Sequence, residues 1–383
     1  MAATKQPAGP EERLPVSTGP IPAAGRSGDG SAADVRRARS TGLASADARG
    51  CEPERLASAC GISPRGVATA ALVPPFAQGA RAVESPALLE AARRSSLAGA
   101  AAWLVDLVDL VKARLNCLVL VTIAVGYQVG RDLVFDRSLF AWTLLGAFLG
   151  ACGACALNQW WEAEHDRCMR RTARRPLAAG RLSRDAALGL GLALLGAGTV
   201  VLRTCHSLAA TLNLAIAAGY LLLYTPLKRR SAWFLLPGAA AGAAPPLIGW
   251  SAAQGSLGAG AWALFAVVFS WQFPHFCAID WLHRDDYRRA GHRTPVVVDP
   301  TGRLGCALTL AGALGFFASC LAPVGLGLGG TYYAAVAVPL GLAYLALSLR
   351  FAFAPSVASA RGLFFGSLCV LPLVLGALVL VPA

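Results

Sequence analysis

The chain is short of charge. Only 14% of its 383 residues are Asp, Glu, Lys or Arg, whereas 56% are hydrophobic, and the mean hydropathy is +0.54. Water-soluble globular domains carry about a quarter charged residues, so that class is excluded and a polytopic membrane protein is indicated. Acid is scarcer than base: 21 Asp and Glu stand against 34 Lys and Arg, a formal charge of +13. The excess does not imply nucleic acid. It lies mostly in a polar N-terminal arm and in short loops between apolar runs, where positive-inside topology accounts for the loop charges. Residues 1–97 lack Trp, Tyr and His and hold one aromatic, Phe76, too little apolar surface to order a core. This disordered arm has no early apolar segment and so does not resemble a secretory signal. Its Arg, Ser and Ala richness, as in Val35-Arg36-Arg37-Ala38-Arg39-Ser40, points to an organelle transit peptide, although Glu11, Glu12, Asp29 and Asp34 are more acid than that class prefers.

Metal-binding and nucleophilic cysteine patterns are missing too. Cys152 and Cys155 form a C-x-x-C, but no second pair or histidine follows at zinc spacing, and the neighbours Gly150, Gly153 and Ala154 indicate close helix packing. Cys117, Cys306, Cys320 and Cys369 lie in apolar segments and read as small buried hydrophobes in a reducing setting. No Ser/His/Asp or Cys/His arrangement of a covalent catalyst is present.

What is present is a series of apolar runs. From Trp103, the apolar set Trp103, Leu104, Leu107, Val108, Leu110 and Val111 opposes Asp106, Asp109 and Lys112, which predicts an amphipathic helix at the membrane interface. Lys112-Ala113-Arg114 marks the boundary. Nine segments of spanning length follow, near 115–130, 138–158, 185–202, 207–227, 232–250, 260–282, 304–324, 331–350 and 362–382. Gly and Pro within 237–246 are tolerable in lipid and favour close helix contact. Lys112, Arg114, the arginines from Arg167 to Arg184, Lys228-Arg229-Arg230, Arg284, Arg288, Arg289, Arg293, Arg303, Arg350 and Arg361 share one side. Only Arg131, Arg137 and Arg203 lie opposite, so the first side faces the cytoplasm or matrix.

The polar residues gather on that side. Asn158, Glu162 and Asp166 recur every fourth residue, which on a helix confines them to an arc of about 80° over roughly 12 Å. Oxygen ligands of this kind suit Mg²⁺, which keeps several waters and shares substrate phosphate oxygens. The arginines that follow, Arg170, Arg171, Arg174 and Arg175, suit the same phosphates. The alternative is a salt-bridge network on a solvated helix end. A second stripe, His275, Asp280 and Asp285-Asp286-Tyr287, closes the sixth span; a continuous helix would align His275 with Asp286, and Asp285 or Asp286 would ligate a second Mg²⁺. His275 is otherwise a bundle histidine satisfied by a backbone carbonyl, and Asp280 a partner of Arg284 at i, i+4. Tyr224 and Lys228, also i, i+4, place a hydroxyl and a cation over the same mouth, or simply anchor a helix end.

Asn158-Gln159-x-x-Glu162-x-x-x-Asp166 followed by Arg171-Thr172-x-Arg174-Arg175-Pro176-Leu177 resembles the first acid-rich signature of the UbiA-type intramembrane prenyltransferases. The fuller set is similar to their protoheme IX farnesyltransferase branch, the haem O synthases: Lys112-x-Arg114-Leu115, Tyr224-Thr225-x-Leu227-Lys228-Arg229, Pro245-Pro246-Leu247-Ile248-Gly249-Trp250, Trp271-Gln272-Phe273-Pro274-His275-Phe276 and Asp285-Asp286-Tyr287. Asn158-Gln159 with Glu162, and Gln272-Phe273, look most like mitochondrial members. The similarity runs from about residue 100 to the end, which sets a nine-helix domain over 98–383 behind the arm.

The resemblance implies an all-α protein with nine helices around a central cavity. It implies Asn158, Glu162 and Asp166 as a magnesium and diphosphate site and Asp285 and Asp286 within a second. Arg114, Arg171, Arg175, Tyr224 and Lys228 would hold phosphate, and His275 belongs to a haem-specific motif, toward iron or propionate. Farnesyl diphosphate and haem B would be the substrates, Mg²⁺ the cofactor, and a downstream haem A synthase a partner. Departures at Cys277 and Asp280 put the second ligand set in question, and Ala113 replaces a frequent Pro. The chemistry fits: the allylic diphosphate leaves once its charge is neutralised, lipid walls keep the farnesyl cation from water, and a haem vinyl group attacks it. Two other readings stay open. A same-fold enzyme could prenylate an aromatic acceptor, and a transporter or assembly scaffold could bind ions without chemistry, although transporters carry charge near the bilayer midplane.

Overall fold

The structure, a computed structural model, describes residues 99–131 and 135–380. The arm and transit peptide expected over 1–97 lie outside the described residues. Among the described residues there is no strand, and nine helices are long and apolar enough to cross a membrane. They are α1 Ala113–Gly130, α2 Arg137–Arg167, α3 Arg184–Cys205, α4 Ser207–Leu227, α5 Ala232–Gln254, α6 Ala259–Arg289, α7 Arg303–Gly325, α8 Thr331–Phe353 and α9 Val357–Leu380.

The order is the one hydropathy predicts, and the ends differ where polar residues prolong a helix. α2 and α6 each run 31 residues, about 46 Å against a hydrocarbon layer of about 30 Å. Their polar ends therefore stand clear of the apolar layer or line its interior. Local chemistry sets several boundaries. Asp136 accepts from the Leu139 amide (2.9 Å) and Ser183 from the Ala186 amide (3.2 Å), capping α2 and α3. Pro245 and Pro246 divide α5 into Leu235–Ala243 and Pro245–Gln254. α4 contains a π-helical turn, Gly219–Tyr224.

Small residues let backbones meet. A methyl group on Gly126 would strike the Pro246 carbonyl, and one on Gly249 the Ile123 carbonyl, so α1 lies directly against α5. Gly153 and Gly198 bring α2 onto α3 in the same way, and Gly150 makes room for the Asn213 side chain of α4. The C-x-x-C is packing, as expected: free Cys152 and Cys155 are buried with their sulfurs 3.5 and 3.8 Å from the Asn116 amide. Cys320 is buried, but Cys117 and Cys369 are exposed and Cys306 half-buried, which corrects the expectation of burial. An apolar setting in a span is as often lipid as protein. α2, α5 and α6 bury half of their apolar windows and α3 only 22%, so the first three line the interior and α3 is peripheral.

A short helix over residues 99–110 precedes α1. Trp103, Leu104, Val105 and Val108 face outward, while Leu110 and Asp106 are buried. Arg181, from the α2–α3 connection, grips Asp106 with Nε (3.0 Å) and Nη2 (2.7 Å) and holds its carboxyl below the usual carboxylate range. The amphipathic reading therefore stands, with its polar edge turned into the protein.

Candidate active site

Because α2 is unbroken, Asn158, Glu162 and Asp166 share one face, and all three are buried. Each meets a different donor. Asn158 Oδ1 accepts from Lys112 Nζ and from the Tyr220 hydroxyl, both at 3.0 Å, and its Nδ2 donates to Thr225 Oγ1 at 3.1 Å. Glu162 receives Lys228 Nζ at 2.9 and 3.2 Å. Asp166 Oδ2 receives Arg175 Nη1 at 2.7 Å, and its backbone carbonyl receives Thr172 Oγ1 at 2.9 Å. Asp166 Oδ1 is buried with no partner.

Lys112 joins the stripe. Arg114, which the resemblance gives to phosphate, is exposed at the head of α1, and Lys112 is the cation that reaches Asn158. Its backbone is left-handed, φ 50°, a conformation costing a residue with a Cβ roughly 1–2 kcal/mol. Gln159 holds it there by donating from Nε2 to the Asp109 and Leu110 carbonyls at 2.7 and 2.9 Å, at the end of the preceding helix. No carboxylate among the described residues pairs with Lys112, and burial lowers its pKa.

The π turn explains the tyrosines. It stacks Tyr220 on Tyr224 with centroids 5.3 Å apart, and Lys228 Nζ lies 4.3 Å from the Tyr224 ring. Burial opposes the charge on Lys228, but Tyr224 and Glu162 outweigh it and raise the pKa above the ordinary lysine value. Tyr220 was not expected here, although it precedes Tyr224 by the spacing that links Tyr224 to Lys228.

The mouth of α6 opens on the same side. A cleft of about 400 Å³ is lined by Arg170 from the α2–α3 connection and by Leu282, His283, Asp285, Asp286 and Arg289. Arg171, exposed, lies in electrostatic range of His283 and Tyr287. The Arg293 amide donates to the Lys228 carbonyl at 2.8 Å, tying the α6–α7 connection to the α4–α5 one. Asp286 pairs with Arg289 and is the inward carboxylate; Asp285 is largely exposed and pairs with Arg288 at 3.3 Å.

Two expectations on α6 are corrected. The helix is not continuous from His275 to Asp286, because His283 takes non-helical angles (φ −117°, ψ 19°) and breaks the alignment. Asp280 does not pair with Arg284, whose guanidinium lies 5.2 Å over the Trp281 ring. Its Oδ2 instead accepts from the Val296 amide at 2.9 Å and fixes the short helix Pro295–Val298. His275 is apart from the phosphate-type cluster, buried between the Trp271 and Phe364 rings (centroids 4.6 and 5.3 Å). Its Nδ1 is 2.7 Å from Ser367 Oγ, not on a backbone carbonyl, and that hydroxyl donates to the Phe364 carbonyl at 2.5 Å. The one hydroxyl proton being used, Nδ1 donates and Nε2 is left as an acceptor.

Among the described residues, no three His, Cys, Asp or Glu side chains converge as a metal-binding group. Glu162, Asp166 and Asp286 each meet a cation instead. One membrane face thus collects Asn158, three carboxylates and Lys112, Arg175, Lys228 and Arg289, the composition of an intramembrane site for an anionic, cation-assisted substrate.

Residues 119–376 match the UbiA prenyltransferase family, and the chain belongs to that family. Among its relatives, the protoheme IX farnesyltransferase of Solibacter usitatus (strain Ellin6076) is 40% identical over 285 residues, covering 72% of this chain and 98% of its own. That of Opitutus terrae (strain DSM 11246 / JCM 15787 / PB90-1) is 40% identical over 278 residues, covering 72% and 94%. The fold is shared with the apo UbiA homolog from Aeropyrum pernix K1 (TM-score 0.58, 21% identity, 70% and 97% covered). It is shared as well with a UbiA homolog from Archaeoglobus fulgidus bound to GPP and Mg²⁺ (0.52, 16%, 72% and 100%).

Proposed function

We propose that the protein transfers the farnesyl group of farnesyl diphosphate to a vinyl group of protoheme IX, giving haem O. The observation that carries this reading is the convergence of the α2 stripe and the α6 mouth on one membrane face, in a chain 40% identical to enzymes named protoheme IX farnesyltransferase. Lys112, Arg175 and Lys228 would hold the diphosphate by charge-assisted hydrogen bonds. Arg171 and Tyr224 would add to that grip from the side of the α6 mouth. Their task is to stabilise charge that develops as the diphosphate departs, in a site closed to bulk water. Lysine and arginine now on the carboxylates would turn to the phosphate oxygens when substrate arrives. Arg114, exposed at the head of α1 as Arg171 is in its loop, would meet the phosphate from outside.

A divalent cation, Mg²⁺ in this reading, fits the residues: Asp166 Oδ1 is buried without a partner, and Glu162 and Asn158 lie on the same stripe. Asn158, Glu162 and Asp166 would hold one such ion, and Asp286 with Asp285 a second. When bound, the cation neutralises diphosphate oxygens and eases departure of the leaving group. His275, with Nε2 open and aromatic rings on both faces, would meet the haem as acceptor.

The multi-pass protein would lie in an inner membrane, bacterial as for the relatives named above or mitochondrial as its arm invites. A haem A synthase would act downstream, in cytochrome oxidase assembly. The test is incubation of the purified protein with haem B and farnesyl diphosphate, followed by chromatography. Haem O as product supports the reading, whereas prenylation of a hydroxybenzoate in its place favours the aromatic-acceptor alternative, and no transfer to either favours a scaffold.

A further inference from the structure

His292 was not singled out from the sequence, and nothing in the site described above uses it. It follows the end of α6, in the connection that the Arg293 amide fastens to the Lys228 carbonyl at 2.8 Å. Its own amide donates to the Tyr287 carbonyl at 3.0 Å, and its ring stands perpendicular to that of Tyr287 with centroids 5.9 Å apart. The backbone is therefore pinned on both sides. The side chain is 5% exposed. Nδ1 is buried and has no hydrogen-bond partner.

A core histidine is ordinarily satisfied by a carbonyl, carboxylate or hydroxyl. This one is not, and its surroundings are those of the site. The charges that act on it are Lys228, Glu162, His165 and Arg229, contributed by α2 and by the α4–α5 connection. Asp166 Oδ1, one turn beyond Glu162, is another buried atom without a partner; Gln159 Oε1, Asp280 Oδ1, Trp281 Nε1 and Thr294 Oγ1 are also unpartnered, but Asp166 is the one on the stripe that carries Glu162. Asp166 Oδ1 and His292 Nδ1 differ in kind. A carboxylate oxygen can only accept or ligate, whereas an imidazole nitrogen can carry a proton and donate it. A ligand that satisfies both offers a cation to Asp166 and an acceptor oxygen to His292. A metal-bound diphosphate has both.

We propose that His292 is a diphosphate-binding residue whose Nδ1–H donates to a phosphate oxygen of the substrate beside Lys228. The inference rests on the farnesyl diphosphate reading and adds to it a donor carried by the α6–α7 connection. That connection thereby senses the diphosphate directly. A neutral donor suits the position, since the adjacent cations already balance the carboxylates and a further charge would have to be buried.

The test is thermal unfolding of the full-length protein in detergent, titrated with inorganic diphosphate in the presence of Mg²⁺, without haem or farnesyl diphosphate. In His292→Phe the diphosphate concentration giving half-maximal stabilisation should rise by about tenfold, the effect of losing one hydrogen bond to a charged group. His292→Gln, which keeps a donor, should recover most of that loss. Should His292→Phe not fold, His292→Ala takes its place, and added imidazole should restore diphosphate binding. An unchanged titration in His292→Phe, or no recovery in His292→Gln or with imidazole, overturns the proposal. Turnover by the unmodified protein separates the two failures: if it makes haem O while His292→Phe binds diphosphate normally, only the role of His292 falls.

Discussion

Lys228 and Glu162, 66 residues apart in sequence, meet with the ammonium 2.9 and 3.2 Å from the two carboxylate oxygens, and both side chains are largely buried. A cation and an acid brought from different helices are thus matched where neither is well solvated. Removing one partner leaves the other charge buried and alone. Lys228→Met should lower stability by roughly 3–5 kcal/mol, and the double variant Lys228→Met/Glu162→Gln should recover much of that loss. Thermal or denaturant unfolding of the single and double variants in detergent measures both. An equal loss in the two would mean that Glu162 does not depend on Lys228.

Lys112 gives a contrast between stability and function. Lys112→Ala and Lys112→Gly both remove the ammonium from Asn158, and both should raise the KM for farnesyl diphosphate by at least about tenfold. Only glycine accepts φ 50° without strain, so Lys112→Gly should be the more stable of the two by about 1 kcal/mol. Steady-state kinetics and melting curves check the two halves separately.

His292 sets an acid limit. Burial first, then the Lys228 ammonium, hold its imidazole down to about 4 from the ordinary 6.5. The unfolded chain therefore takes up the proton first as pH falls. Its contribution is fully present above 6.5 and is lost as pH drops toward 4, by roughly 3 kcal/mol at the bottom of that window. The difference in stability between the unmodified protein and His292→Phe, measured from pH 7 to pH 4, should shrink or reverse as the medium becomes acid.

The close approach of α1 and α5 is sharp enough to test with one methyl group. Gly249→Ala drives a Cβ into the Ile123 carbonyl, whereas Gly196→Ala on α3 meets nothing within 4 Å. The first should cost about 1–3 kcal/mol and the second stay within about 0.5 kcal/mol. Paired melting curves decide it.

Helix number and the α2 stripe were legible because they are periodic: apolar runs of spanning length, and Asn158, Glu162 and Asp166 at a fixed interval on a helix that proved continuous. Tyr224 and Lys228 were legible for the same reason. What escaped depends on local backbone breaks and on chain return. The left-handed turn at Lys112 brings Lys112, and not Arg114, to Asn158. The break at His283 separates His275 from Asp286, and the return of the α6–α7 connection onto Lys228 gives Asp280 the Val296 amide and buries His292. Spacing along a helix carries no trace of such contacts. The UbiA-like resemblance reached the family, and it fixed the residue types more securely than their partners.

The central claim is that oxygens from α2 and from the end of α6 act on one diphosphate. It is tested most directly by haem O formation from haem B and farnesyl diphosphate, with and without Mg²⁺, in the unmodified protein, Asp166→Asn and Asp286→Asn. The expected result is turnover that requires the cation and falls by about a hundredfold or more in each variant, as for loss of one preorganised electrostatic contact. Turnover that ignores Mg²⁺, or that survives intact in either variant, would contradict it.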